Sequence, residues 1–216
     1  MAEQLTLIGF RDSVYTRAVR MALIEMGLTA EYIEVNPFAD TPDPLLAAAT
    51  PFGRVPVLRH DDFTLSETAA ILRYLDTLSA NPSLIPQAPH AAARMAQVIG
   101  IVDAYVYVPM VRQVFSHAVY RAQHGLDVEA AKITDGLAHS VPALRALDAI
   151  AAEGLQLASG AFSLADLQLA PMIAYFTMAP QGAAALALAG YPALASWWAQ
   201  TAHRPSLRQT DPFAQD

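Results

Sequence analysis

The stretch PFGRVPVLRHDDFTLSETAAI, residues 51–71, decides how this chain is read. Pro56 sits inside Val55-Pro56-Val57-Leu58, an apolar run that otherwise has the composition of a buried strand. Proline has no N–H to give a ladder and is usually excluded from central strands. Two readings fit. Pro56 marks an edge strand or bulge, or Val55–Pro56 is a cis bond that bends the chain at the start of a strand. The second reading turns the backbone N–H and C=O of Val55 outward, where a peptide ligand can pair with them like an added strand. A few residues later, Ser66-Glu67-Thr68 opens an apolar helical pattern. Ser66 is a good N-cap. A helix N-terminus is also an anion site. There the N–H and hydroxyl of Thr68 can take a ligand carboxylate while Glu67 holds an ammonium. An α-amino acid head group carries that pair of charges.

Outward from this stretch the pattern is regular. Val55 to Arg59 and Phe63 to Leu65 read as two strands of a hairpin turned by Asp61-Asp62. Upstream, Leu5 to Phe10 is a short apolar strand and RDSVY a loop. From Thr16, Val19, Leu23 and Met26 recur at helical spacing, with Gly27 as C-cap. AEYIEVN alternates as a second strand, and DPLLAAA is at most a short helix. Ala70 to Leu78 is helical, with Ile71, Leu75 and Leu78 on one face. The order β-α-β-α-β-β-α requires a mixed sheet.

Residues 81–90 hold Pro82, Pro86 and Pro89 and read as a linker. Everything beyond reads as helix. Residues 91 to 122 form a long helix that Pro109 should kink or interrupt, and 127 to 151 another, with Pro142 at a bend. FSLADLQLAPMIAYF begins with Ser163 as N-cap and Asp166 three residues on, and Phe162 and Leu167 occupy staple positions. YPALASWWAQTAHRPSL is a last short helix ended by Pro205.

The 216 residues are 54% hydrophobic and 15% charged, a globular composition. A net charge of −7 argues against nucleic acid or an anionic membrane as partner. No uninterrupted apolar run has spanning length, and no secretory signal is visible, so the expectation is a soluble, cytoplasmic protein. Without cysteine there is no thiolate nucleophile or thiolate metal site. His117 and His124 lie seven apart, but no metal-ligand cluster accompanies them; they are expected to be solvated.

The element order, TPFGRVPVLRHDDFTLSETAAILRYL and FSLADLQLAP together resemble the cytosolic glutathione transferase family over nearly the whole chain. The resemblance implies an α/β thioredoxin-like N-terminal domain, residues 1–80, that binds glutathione as co-substrate. It implies an all-α C-terminal helical domain, residues 91–216, that contributes an acceptor pocket between the domains. The tripeptide would meet Val55 beside a cis Pro56. Glu67 and Thr68 would hold its γ-glutamyl end, and Arg54 would meet a carboxylate. The family usually forms homodimers; Phe52 is either an interface anchor or packed internally.

Family members activate the thiol with a Tyr, Ser or Cys near the first strand and helix. DSVYTRAVRMAL resembles the serine subclasses, whose Ser lies seven residues before the second Arg of an RVR run. Ser13 and Arg20 keep that spacing, while Ala18 replaces the first Arg. Tyr15 is the local competitor; tyrosine classes place Tyr at the end of the first strand, where this chain has Phe10. Ser13 is therefore preferred, with Arg17 either assisting or solvated. Tyr15, Tyr107, Arg112 and Phe115 are acceptor-pocket candidates. The implied reaction joins glutathione to a small hydrophobic electrophile without a metal. Alternatives are a non-catalytic binding or assembly module, an isomerase or a dehalogenase. Asp12-Ser13-Val14-Tyr15 departs from the Ser-Ser-Cys-like motif of the isomerase subclass.

Overall fold

The apolar run near the N-terminus becomes the centre of a sheet. In the computed structural model, which describes residues 4–158, 160, 162–187 and 190–214, it forms β1 (Leu5–Gly9). Then come α1 (Val14–Met26), β2 (Glu31–Glu34), α2 (Pro44–Ala49), β3 (Val57–His60), β4 (Phe63–Ser66) and α3 (Thr68–Leu78). The sheet order is β2-β1-β3-β4. β2 runs parallel to β1, and β3 and β4 complete an antiparallel hairpin turned at Asp61, φ 52. This is the mixed sheet that the element order requires, with the thioredoxin-like arrangement that the resemblance implies.

Each face of the sheet has its own cover. α1 and α3 pack together, and Ala18, Val19, Met21, Ala22, Ile71, Leu72 and Leu75 are fully buried. The short α2 sends Leu46 into a second cluster with Ile8, Val35 and Val57. Asp43 caps α2 by accepting from the amides of Leu45 and Leu46. Gly27, at φ 66, ends α1 in the left-handed conformation that glycine adopts without steric cost. Asp76 accepts from the Ser83 hydroxyl at 2.6 Å and the Leu84 amide at 2.7 Å, fastening the proline-rich connection to α3.

The chain divides into two units, one running to Ile85 and resuming at Pro205, the other Pro86–Arg204. In the second, α4 (Pro89–Gln123) is followed by α5 (Ala130–Glu153), α6 (Leu164–Met178), α7 (Pro180–Ala187) and α8 (Pro192–Thr201). Pro109 does not interrupt α4. Instead Val102–Tyr120 winds as a π-helix, with amides reaching five residues back, as from Arg121 to Ser116. Pro142 likewise lies inside an unbroken α5. Gly136 allows α5 to approach α4 closely: a Cβ there would stand 2.7 Å from the Pro109 carbonyl oxygen. By length and composition α4 is apolar enough to cross a membrane, and half of that apolar window is buried within the protein.

α6 starts with the expected box. The Ser163 amide donates to Asp166 Oδ2 at 2.8 Å and the Ser163 hydroxyl accepts from Ala165 N. Asp166 is also the acceptor for Trp197 Nε1, at 2.7 Å, tying α6 to α8. Pro205 opens a helix rather than closing one, because its missing amide costs nothing in a first turn. That helix, α9 (Pro205–Gln209), packs on α1 in the first unit.

Candidate functional site

Strand register brings three separate motifs to one end of the sheet. Ile8 pairs with Val57, and Val57 pairs with Ser66. The chain leaves β1 toward Ser13 just past Ile8. It enters β3 through Val55 and Pro56 just before Val57. It leaves β4 through Glu67 and Thr68 just after Ser66. With β3 between its two neighbours, the three motifs share an edge. The Val55–Pro56 peptide bond is cis. Pro56 is buried and Val55, half-buried, stands outside the paired register.

Ser13 is the N-cap of α1, which starts two residues earlier than its apolar spacing predicts. Its Oγ accepts from the Thr16 amide at 3.2 Å, and its carbonyl accepts from Arg17 N at 2.9 Å. The hydroxyl proton has no acceptor among the described residues. A hydroxyl has one proton and two lone pairs, so capping leaves its donor available.

The start of α3 differs from expectation. Ser66 ends β4, and the N-cap is Glu67, whose side chain makes no cap hydrogen bond. Ser66 is held back by its pairing with Val57. The first-turn amides of α3 therefore have no side-chain cap, and Thr68 at the first helical position is 6% exposed. Glu67 is exposed, with φ 69 and ψ 115, a backbone region costly for any residue with a Cβ. Arg54 is exposed and has no carboxylate within salt-bridge distance among the described residues.

The acceptor candidates fall in both units. Tyr15 is half-buried on α1; Tyr107 is half-buried and Arg112 exposed on α4. Phe115 lies in the core of the second unit, its ring centroid 4.5 Å from that of Tyr175. Phe52 is 65% exposed. His117 is not solvated: it is buried, and its Nδ1 accepts the Glu129 amide at 3.0 Å. His124 stays exposed and stacks on Tyr120. Among the described residues no group of acids and histidines is arranged to hold a metal.

Arg17 is neither solvated nor exposed. It is 2% exposed and donates to the Leu207 carbonyl at 2.7 Å, with Asp211 at 3.9 Å. Sequence reasoning also missed Arg11 and Glu34. The Arg11 amide donates to Glu34 Oε1 at 3.1 Å. No local pattern signals this pair, since its members belong to different elements.

Residues 7–83 match the family profile described as glutathione S-transferase, N-terminal domain, and residues 130–199 match the corresponding C-terminal domain. Glutathione S-transferase Z2 of Arabidopsis thaliana is 30% identical over 171 residues, 79% of this chain and 75% of that protein. A glutathione S-transferase of Pseudomonas putida is 32% identical over 105 residues, 49% of this chain, and the match spans only 46% of that relative's length. Two solved structures superpose over nearly their full length. Glutathione S-transferase III in apo form has a TM-score of 0.83 and 26% identity, covering 99% of each chain. The theta class enzyme of Xanthomonas axonopodis pv. citri, with glutathione bound, has a TM-score of 0.81 and 26% identity, covering 98% of this chain and 99% of that one.

Proposed function

This chain belongs to the glutathione S-transferase family, and from that premise we propose that it conjugates the glutathione thiolate to small hydrophobic electrophiles. The observation that carries the reading is the strand register, which gathers Ser13, Val55-Pro56 and Glu67-Thr68 at one sheet edge. Val55 offers backbone groups to the middle of an extended tripeptide. Glu67 faces the γ-glutamyl ammonium, and the uncapped first turn of α3 with Thr68 takes its carboxylate. Arg54 supplies a cation for the remaining carboxylate. Phe52, with its exposed ring, is the anchor of a homodimer in this reading.

Ser13 acts as a hydrogen-bond donor, not as a base. A thiol has a pKa of about 8.5, and lowering it by two units takes about 2.7 kcal/mol. A hydrogen bond to a charged acceptor contributes roughly 1.5–3 kcal/mol. The positive end of the α1 dipole adds ~0.3–1 kcal/mol. Together these suffice to keep the thiol ionised near neutrality without a general base. The sulfur then forms a bond to the electrophilic carbon. The displaced pair leaves with a leaving group or moves onto a conjugated acceptor.

The test is Ser13→Ala. The pKa of bound glutathione, read from thiolate ultraviolet absorbance, should rise by about one to two units, and kcat should fall about ten-fold or more. Glutathione affinity should change little. Ser13→Thr, which keeps a hydroxyl, should retain part of the activity. Unchanged turnover in Ser13→Ala would remove Ser13 from the mechanism. Glutathione binding without turnover of any acceptor by the unaltered chain would mark a binding module.

A further inference from the structure

A side chain from the neighbouring strand reaches the loop that carries Ser13. Gly9, the last residue of β1, pairs in register with Glu34, the last residue of β2. The Val35 amide donates to the Gly9 carbonyl at 2.7 Å, so the two strands end together. From that position Glu34 uses both carboxylate oxygens. Oε1 accepts the Arg11 amide at 3.1 Å, and Oε2 accepts the Tyr32 hydroxyl at 2.5 Å. The Arg20 guanidinium lies over the Tyr32 ring, 5.6 Å from its centroid.

The rest of the loop has little slack. The Phe10 amide donates to Thr16 Oγ1 at 3.3 Å, and the Ser13 amide donates to the Phe10 carbonyl at 2.9 Å. A Cβ on Gly9 would lie 2.4 Å from Thr16 Cγ2 and 3.0 Å from Tyr32 Cε2, so α1, Tyr32 and the loop are packed tightly. The Arg11 guanidinium donates to the Pro212 carbonyl at 3.0 Å, within the same unit. Glu34, a side chain from outside the loop and α1, bonds the loop's own backbone at Arg11. Burial, then the bond to Glu34, raises the Tyr32 pKa well above its ordinary value, so the phenol remains a donor across the working pH range.

We propose that Glu34 is a positioning residue: by accepting the Arg11 amide it sets the direction of the Ser13 hydroxyl toward the thiolate. This rests on the reading of Ser13 as thiolate donor. A donor contributes only when its geometry matches the developing charge, so a small displacement weakens it without removing it. In this proposal Glu34 acts through the loop and not on the substrate directly. Its effect should therefore appear in the thiol pKa and in kcat rather than in glutathione affinity.

Glu34→Ala, Glu34→Gln and Ser13→Ala, each in the full-length chain, separate the possibilities. Glu34→Ala should raise the pKa of bound glutathione and lower kcat about 5- to 10-fold, with the glutathione Kd within about two-fold. Glu34→Gln keeps an acceptor of the same size for the Arg11 amide and should recover most of the loss. If Glu34→Ala titrates and turns over like the unaltered protein while Ser13→Ala is impaired, the positioning role is wrong and the Ser13 reading stands. If Glu34→Ala loses affinity and thermal stability along with kcat, and Glu34→Gln does not recover them, the role is structural and the proposal fails. If Ser13→Ala itself is unimpaired, the Ser13 reading fails and the proposal falls with it.

Discussion

Glu67 carries the clearest conflict between local preference and structure. A non-glycine residue at φ 69 and ψ 115 costs of order 1–3 kcal/mol. Its carboxylate makes no cap bond to offset that cost. With this conformation β4 turns directly into α3, whose first-turn amides have no side-chain cap. Glu67→Gly should then leave the thermal midpoint unchanged or raise it, because relief of the backbone outweighs the ~0.5–1 kcal/mol entropy cost of glycine. The same substitution should weaken glutathione binding about ten-fold by calorimetric titration, because in the proposed function Glu67 is the partner of the γ-glutamyl ammonium. Tighter binding by Glu67→Gly would refute the assignment. At this scale the sequence offers residue types, Ser13, Glu67 and Thr68, whose chemistry suits a peptide carrying charges and a thiol. The outlying backbone at Glu67 was not legible, because glutamate has no intrinsic preference for it.

Elements were read well where periodicity is local and less well where packing overrides it. The Ser163–Asp166 box lies within one turn, so its geometry follows from spacing. Pro109 was expected to kink or interrupt α4; the chain stays helical there but winds as a π-helix. α5 and α6 pack along its π-wound part, and Gly136 sits against the Pro109 carbonyl. His117 shows the same effect. Its ring, near the end of α4, is buried and takes the Glu129 amide at the start of α5. Desolvation first, then the Arg121 charge, lowers its pKa below the usual 6.5; Lys132 and Arg112 act in the same direction and Glu129 opposes them. The neutral ring is the form that accepts the amide. The folded state therefore binds a proton less readily than the unfolded state. The contribution is complete above pH 6.5 and is lost as pH falls from there toward the folded-state pKa. Urea midpoints measured from about pH 8 to about pH 5 should decline over that interval, and His117→Gln should flatten the decline. An identical slope in the variant would show that another group is responsible.

At the scale of the whole molecule, the chain returns to its beginning. α9 packs on α1, Arg17 donates to Leu207, Arg11 donates to Pro212, and Ser206 bonds Glu25. A buried guanidinium deprived of these partners costs several kcal/mol. Residues 1–85 made alone should therefore unfold at lower urea than the same unit within the full chain, with a weaker near-ultraviolet dichroism. A peptide of residues 205–216 added in trans should restore part of the difference. If residues 1–85 alone match the full chain's stability of this unit, the C-terminal segment is dispensable to it.

The sequence by itself determined the mixed sheet with its hairpin, the helical remainder, and the chemistry available to the candidate site. These follow from alternation, helical spacing and side-chain type, all of which act over a few residues. Only the tertiary structure decided that Val57 lies between Ile8 and Ser66, that Glu34 bonds the amide of Arg11, and that Arg17 is buried under the C-terminal segment. Those outcomes depend on which strands pair and which surfaces meet across long stretches of chain. Hydrophobic burial selects the arrangement as a whole, and no short window of residues encodes it.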